Sequence, residues 1–270
     1  MDKESFTKYA IEESSDQVMQ EVLEILDADD GRSFEEKKEA LLMHLQERRD
    51  AELAEVLANC AIADKTGQQV KAEFWSFGIV VCPDASISLR DVYEGDREVF
   101  LSIQQENSPL KEMMKEQVCC DMLWKEHLGD KSLMLSIEKD GTYIGYCGIK
   151  NMAQNPWEIA IEIQSDWTRN GIGPIVITAM LNAIKARLNI TDFRVRIDPG
   201  NRSSQKMFER LGAIPNGISE YLVHDPEIIQ QCEENNLHLI DEDTVALAKK
   251  FGVEPHKLLS HILEYTLNWS

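Results

Sequence analysis

No apolar run in this 270-residue sequence approaches the roughly 20 residues that a membrane-spanning helix needs. The opening stretch, MDKESFTKYAIEESSD, also lacks the apolar core of a secretory signal, so a cytoplasmic protein without a membrane partner is expected. The cysteines, Cys60, Cys82, Cys119, Cys120, Cys147 and Cys232, contain no Cys-x-x-Cys pair, and scattered free thiols are expected. The six histidines show no ligand spacing, so no structural metal is expected. Basic residues are in deficit, 28 Lys and Arg against 48 Asp and Glu, for a formal net charge of −20. That balance argues against binding nucleic-acid backbones as a main task. What remains is a chain that is 43% hydrophobic, enough to bury a full core as one large or two modest domains.

One stretch, residues 157–211, organises the rest. Ile159, Ile161 and Ile163 alternate with Glu158, Ala160 and Glu162, which is the period of a strand with two different faces. After Gln164-Ser165-Asp166 a turn of small residues, Thr168 to Gly173, leads to Pro174, expected at the first helical position. Ile175, Ala179, Leu181, Ile184 and Leu188 then recur at helical spacing. Gly171 and Gly173 can take positive φ and let backbone N–H groups approach a ligand, and such a turn at a helix N-terminus suits an anion. Between Gln164 and Leu211 there are eight Lys and Arg against four acids, a local cationic excess in an acidic chain that points to an anionic ligand. The turn lacks the Gly-Lys-Ser/Thr ending of a P-loop and the third glycine of a dinucleotide fingerprint.

On these residues the segment from Gly145 to Leu211 resembles the GNAT superfamily of acyl-CoA N-acyltransferases, and within it the ribosomal-protein alanine N-acetyltransferase branch. That family carries Arg/Gln-x-x-Gly-x-Gly/Ala between a central strand and the next helix. Here the turn is Thr168-Arg169-Asn170-Gly171-Ile172-Gly173, with Thr at the first place and Arg169 one place later. A further strand, Phe193–Asp198, then Asn201, a helix Ser203–Arg210 and Leu211-Gly212-Ala213 follow in the family's order, with Ala213 in place of an aromatic. The likeness extends more weakly from about residue 84 to the C-terminus and does not cover the first 75 or so residues.

The resemblance implies an α/β fold with a mixed, partly open, mostly antiparallel sheet and helices on both faces. It divides the chain into an N-terminal helical extension, 1–75, and an acetyltransferase domain, 84–270. The extension reads as two amphipathic helices. One carries Phe6 to Leu26, and the other is capped at Ser33 and Glu36 and ends near Asp64 to Gly67. They suit an added layer or a homodimer contact, with a substrate-recruiting module as the alternative. Residues 74–81 fit a strand or a buried connector equally. The domain then reads as strand Ser86–Arg90, helices Val92–Gln105 and Lys115–His127, and strands Ser132–Glu138 and Tyr143–Ile149. Strands Ile218–Val223 and Leu258–Trp269 close it, separated by a helical insertion at about 226–257.

The same resemblance implies acetyl-CoA as co-substrate, without a metal, and direct transfer to a primary amine, with a protein or peptide N-terminus as one such acceptor. The expected cofactor contacts are Ile161, Ile163, Arg169, Asn170, Gly171, Ile172, Gly173, Pro174, Asn201 and Ser204. Phe208 stands where many members have a proton-donating tyrosine, so Ser204 becomes the expected donor to the thiolate. Glu220, followed by Tyr221, matches the branch's base, and an apolar strand around it would desolvate it. Glu162 is the rival base. The alternative to an enzyme is a degenerate acyl-CoA-binding domain serving as a regulatory or scaffold unit.

Overall fold

The computed structural model describes Lys37 and residues 65–84, 86–107, 113–220 and 225–270. The two helices expected across residues 6–62 lie outside the described residues, Lys37 excepted. The chain divides into two compact units, Met1–Val70 and Lys71–Ser270. A new helix starts beside the end expected near Gly67 for the preceding one, which itself lies outside the described residues: α1 spans Gly67–Trp75. Thr66 and Gln69 start it, since each side chain accepts from the other's backbone N–H, a reciprocal cap.

From there the order is β1 Val80–Val81, β2 Ile87–Asp91, α2 Arg97–Asn107, α3 Gln117–Leu128, β3 Leu133–Lys139, β4 Thr142–Ile149 and β5 Trp157–Ile163. Then come α4 Ile172–Leu188, β6 Asp192–Ile197, α5 Arg202–Arg210, β7 Ile214–Glu220, α6 Pro226–Asn235, α7 Glu242–Phe251 and β8 His261–Asn268. The strands form one sheet in the order β1-β2-β3-β4-β5-β6-β8-β7. Every neighbouring pair is antiparallel except β5 and β6, which run parallel. The undecided residues 74–81 are a helix end, a connector and the short strand β1.

Local chemistry accounts for the shifted boundaries. α2 starts at Arg97 rather than Val92 because a 3-10 turn, Glu94–Asp96, comes first. It is fixed by Asp96, which is buried and accepts from Arg90, Ser136 and the Tyr93 backbone. β7 starts earlier than Ile218 because Ile214 and Pro215 already pair with Thr266 and Tyr265. A bulge between Pro215 and Ile218 hides the alternation, and an edge strand tolerates the proline. Residues 221–223 of the expected strand lie outside the described residues. β8 starts at His261 because Pro255–Leu259 forms a 3-10 turn. α4 is the central helix, with Ile172, Val176, Ile177, Met180, Leu181 and Ile184 all buried, so it is apolar nearly all round.

Candidate active site

The site is built where β5 and β6 part. They pair only at Trp157 with Phe193 and Glu158 with Arg194. At that last rung the buried Glu158 carboxylate meets Lys150 at 2.8 Å, Arg196 at 2.9 Å and Arg194 at 3.2 Å. Burial alone would raise its pKa, but Lys150 and Arg196 outweigh it and hold the carboxyl below its usual value. Beyond this clasp the two strands diverge, and residues 160–163 change from buried to half-buried.

The ladder on the other side of β5 fixes where its amides point. Lys150 N–H donates to Glu158 C=O, and Gln164 N–H donates to Ile144 C=O. By the alternation of an antiparallel pair, residues 158, 160, 162 and 164 direct their backbone groups to β4. The N–H groups of Ile161 and Ile163 therefore face the gap that β6 has left.

The turn after β5 lies at the same end of the sheet. A 3-10 turn, Ser165–Trp167, is followed by Arg169 at φ 64° and Gly171 at φ 75°, both left-handed. Such conformations turn successive N–H groups toward one side, the arrangement of an anion nest. Gly171 caps α4 at its N-terminus, and a Cβ built on it would meet no atom within 4 Å, so the space over the turn is open. Ile172 is buried and anchors the turn, whereas Arg169, Asn170, Gly171 and Pro174 are exposed. Pro174 is the third helical residue, not the first. The position is still permitted, because N–H groups of the whole first turn have no partner within the helix. Gly173 is helical, and its role is contact: a Cβ there would lie 2.8 Å from Met207 Sδ in α5.

α5 leaves the end of β6 and brings in the second group of expected residues. Asn201 is its N-cap, its side chain accepting from the Ser204 N–H at 3.0 Å. Ser204 is half-buried in the first turn, and Phe208 is a core residue. Three of the eight cations are committed elsewhere. Arg194 and Arg196 hold Glu158, and Arg187 donates to the carbonyls of Phe74 and Gly78. Backbone N–H groups, with the exposed Arg169 in the turn itself, make this turn suited to an anion.

The two candidate bases lie on opposite faces of the sheet. Glu162 shares a face with Glu158, and that face runs across Arg196 of β6 to its partner Glu264 in β8. On that face Glu162 Oε2 accepts from Gln104 Nε2 of α2 at 3.0 Å, and the same nitrogen donates to Tyr146 Oη at 2.8 Å. Glu220 pairs with His261, which shares its face with Tyr265, and Tyr265 contacts Glu209 of α5 and Phe251 of α7. Glu220 is exposed at the end of the edge strand and lines a cavity of about 560 Å³ with Ile229, Leu237, Glu233, His256, Lys257 and His261 beneath the insertion. Residues 221–223 of the apolar strand expected around it lie outside the described residues. Sequence reasoning missed Gln104 and Tyr146, whose relation to Glu162 is made only by tertiary pairing.

Residues 87–214 match the family described as Acetyltransferase (GNAT) domain. These residues form a GNAT acetyltransferase domain. Its enzyme class is acetyl-CoA-dependent N-acetyltransferase, with acetyl-CoA as co-substrate. Among solved structures, RimL, a ribosomal L7/L12 alpha-N-protein acetyltransferase in complex with coenzyme A, is 11% identical. The match covers 70% of this chain and 97% of RimL, with a TM-score of 0.49. RimJ of Mycobacterium smegmatis, in complex with a CoA disulfide, is 15% identical over 71% of this chain and 86% of its own, at a TM-score of 0.46. A spermidine N-acetyltransferase SpeG chimera from Vibrio cholerae and hSSAT is 13% identical over 68% and 96%, at 0.48. No curated protein matches the chain. In the acetyltransferase domain the open turn and the gap between β5 and β6 suit a phosphate-bearing thioester. Among the described residues no cluster of metal-ligating side chains occurs, and no helix is long and apolar enough to cross a membrane.

Proposed function

We propose that this chain acetylates a primary amine, such as a protein or peptide N-terminus, by direct attack on the acetyl-CoA thioester. The observation that carries the reading is the pair of N–H groups at Ile161 and Ile163, turned into the gap beside the left-handed turn at Arg169 and Gly171. In this reading the turn and the start of α4 hold the pyrophosphate. The Ile161 and Ile163 amides hold the pantetheine arm and the thioester oxygen, where negative charge develops. An ammonium acceptor loses a proton to Glu162, directly or through water. The neutral nitrogen then attacks the carbonyl carbon, the C–S bond breaks, and the thiolate leaves, with Ser204 as the nearest proposed proton donor.

Glu162 ranks above Glu220 on this reading, reversing the order that the family motif suggests. Glu162 stands on the strand that carries the two amides, whereas Glu220 is three strands along the sheet and on its other face.

Mass spectrometry of acetyl-CoA incubated with a panel of peptides and small amines tests the activity. Glu162→Gln should slow turnover about 10²-fold or more with CoA affinity unchanged, and Glu220→Gln should have little effect. Gly171→Val should weaken CoA binding at least about tenfold in a folded protein, since a side chain there obstructs the backbone approach. A panel without any acetylated product, with CoA still bound, would favour a binding module instead.

A further inference from the structure

The proton acceptor proposed above is tied to a helix that is distant in the chain. Gln104 Nε2 lies 3.0 Å from Glu162 Oε2 and 2.8 Å from Tyr146 Oη, and the Tyr146 hydroxyl donates to the same carboxylate. Tyr146 is buried, packed against Phe100 and edge-on to His127. Burial, then the nearby Glu162, push its phenol well above the usual value, so it stays protonated and acts as a donor throughout the working range. Gln104 is half-buried on α2, so its amide is held rather than waving in solvent.

We propose that Gln104 and Tyr146 are positioning residues for Glu162, presenting its carboxylate to the acceptor amine in one orientation and in its ionised form. The inference rests on Glu162 being the base. Hydrogen bonds donated to a carboxylate favour its charged form. Other groups face the same carboxylate. Tyr143 and Tyr146 come from β4, and Glu158 and Arg196 lie further along the same sheet face, already committed to each other. The clamp from α2 and β4 is therefore one local control on its protonation.

The test compares pH–rate profiles of the intact protein and its Gln104→Leu, Tyr146→Phe and Glu162→Gln variants on an acceptor found in the panel. Loss of either donor should move the acid limb of kcat/KM upward by about 0.5–1 pH unit. CoA affinity should stay unchanged, and kcat at high pH should largely recover. Gln104→Glu, which puts a like charge beside Glu162, should move the limb further the same way. If Glu162→Gln is severely slowed while the limb stays in place in both donor variants, the positioning role is overturned and the base survives. If Glu162→Gln turns over at the wild-type rate, the reading of the base itself falls, and this inference with it.

Discussion

A Cβ built on Gly173 would lie 2.8 Å from the sulfur of Met207, so the first turn of α4 meets α5 through a methionine that any side chain there would have to displace. The contact joins the two halves of the proposed cofactor site, the turn after β5 and the cap at Asn201. Gly173→Ala should therefore change stability by less than about 1 kcal/mol, because the flexible Met207 can swing aside and alanine suits a helix better than glycine. Gly173→Ala combined with Met207→Ala should be less damaging than the sum of the two singles by at least about 0.5 kcal/mol. Urea unfolding of the four proteins gives that coupling. Strict additivity would mean that the helices do not meet here in solution.

Glu158 is the hinge point between the paired and the diverging parts of β5. Glu158→Gln leaves the partly solvated Lys150, Arg194 and Arg196 around a neutral group, and a loss of about 1–3 kcal/mol is expected. The sign with pH follows from a carboxyl whose folded pKa is lowered. Its contribution is complete above the unfolded value, about 4.3, and is lost as pH falls through the folded one. The stability gap between the wild type and Glu158→Gln should thus be widest at neutral pH and narrow in acid. Denaturant titrations at several pH values check both the size and the trend.

Much of this architecture could be read from local pattern. The alternation Trp157 to Ile163 and the helix after it both reappear, because period and burial are properties of short segments. The turn glycines were legible for the same reason, although Gly173 acts through Met207, 34 residues away, and not through its own φ. What was hidden depends on neighbours distant in sequence. The ranking of Glu162 and Glu220 turns on face parity carried across four strands, which no spacing encodes. Gln104 reaches a carboxylate 58 positions away. The cationic excess agreed with an anionic co-substrate, but counting cannot show that Arg194 and Arg196 answer one buried glutamate.

His127 supplies a separate acid sensitivity. Packed against Phe100 at 4.2 Å, it is driven by burial down to a pKa of about 4, with Asp96 opposing and Lys71 adding to the shift. Between the ordinary value of 6.5 and about 4, the unfolded chain takes up a proton that the native state refuses. Stability should therefore fall as pH drops through that window, by up to about 3 kcal/mol at its lower end. His127→Leu removes this component, so its unfolding free energy should change less between pH 7 and 4.5 than that of the wild type. Equal slopes would place the acid sensitivity on the carboxylates alone.

The insertion between β7 and β8 is held by burial more than by charge. Lys250 of α7 pairs with Glu209 of α5, and Tyr265 donates to the same carboxylate at 2.9 Å. Both partners of the ion pair are partly solvated, at 39% and 31% exposure, so Lys250→Ala should cost under about 1 kcal/mol. Phe251, by contrast, is buried edge-on against the fully buried Tyr265, ring centroids 5.1 Å apart. Truncating it removes both the apolar contact and the fit, and Phe251→Ala should cost about 3–5 kcal/mol. Because the loss falls on the insertion's hold on the sheet, limited proteolysis should cut Phe251→Ala first around residues 236–242, between α6 and α7. Lys250→Ala should resist cleavage like the wild type. If Lys250→Ala is cut as readily as Phe251→Ala, the ion pair and not the aromatic contact secures α7.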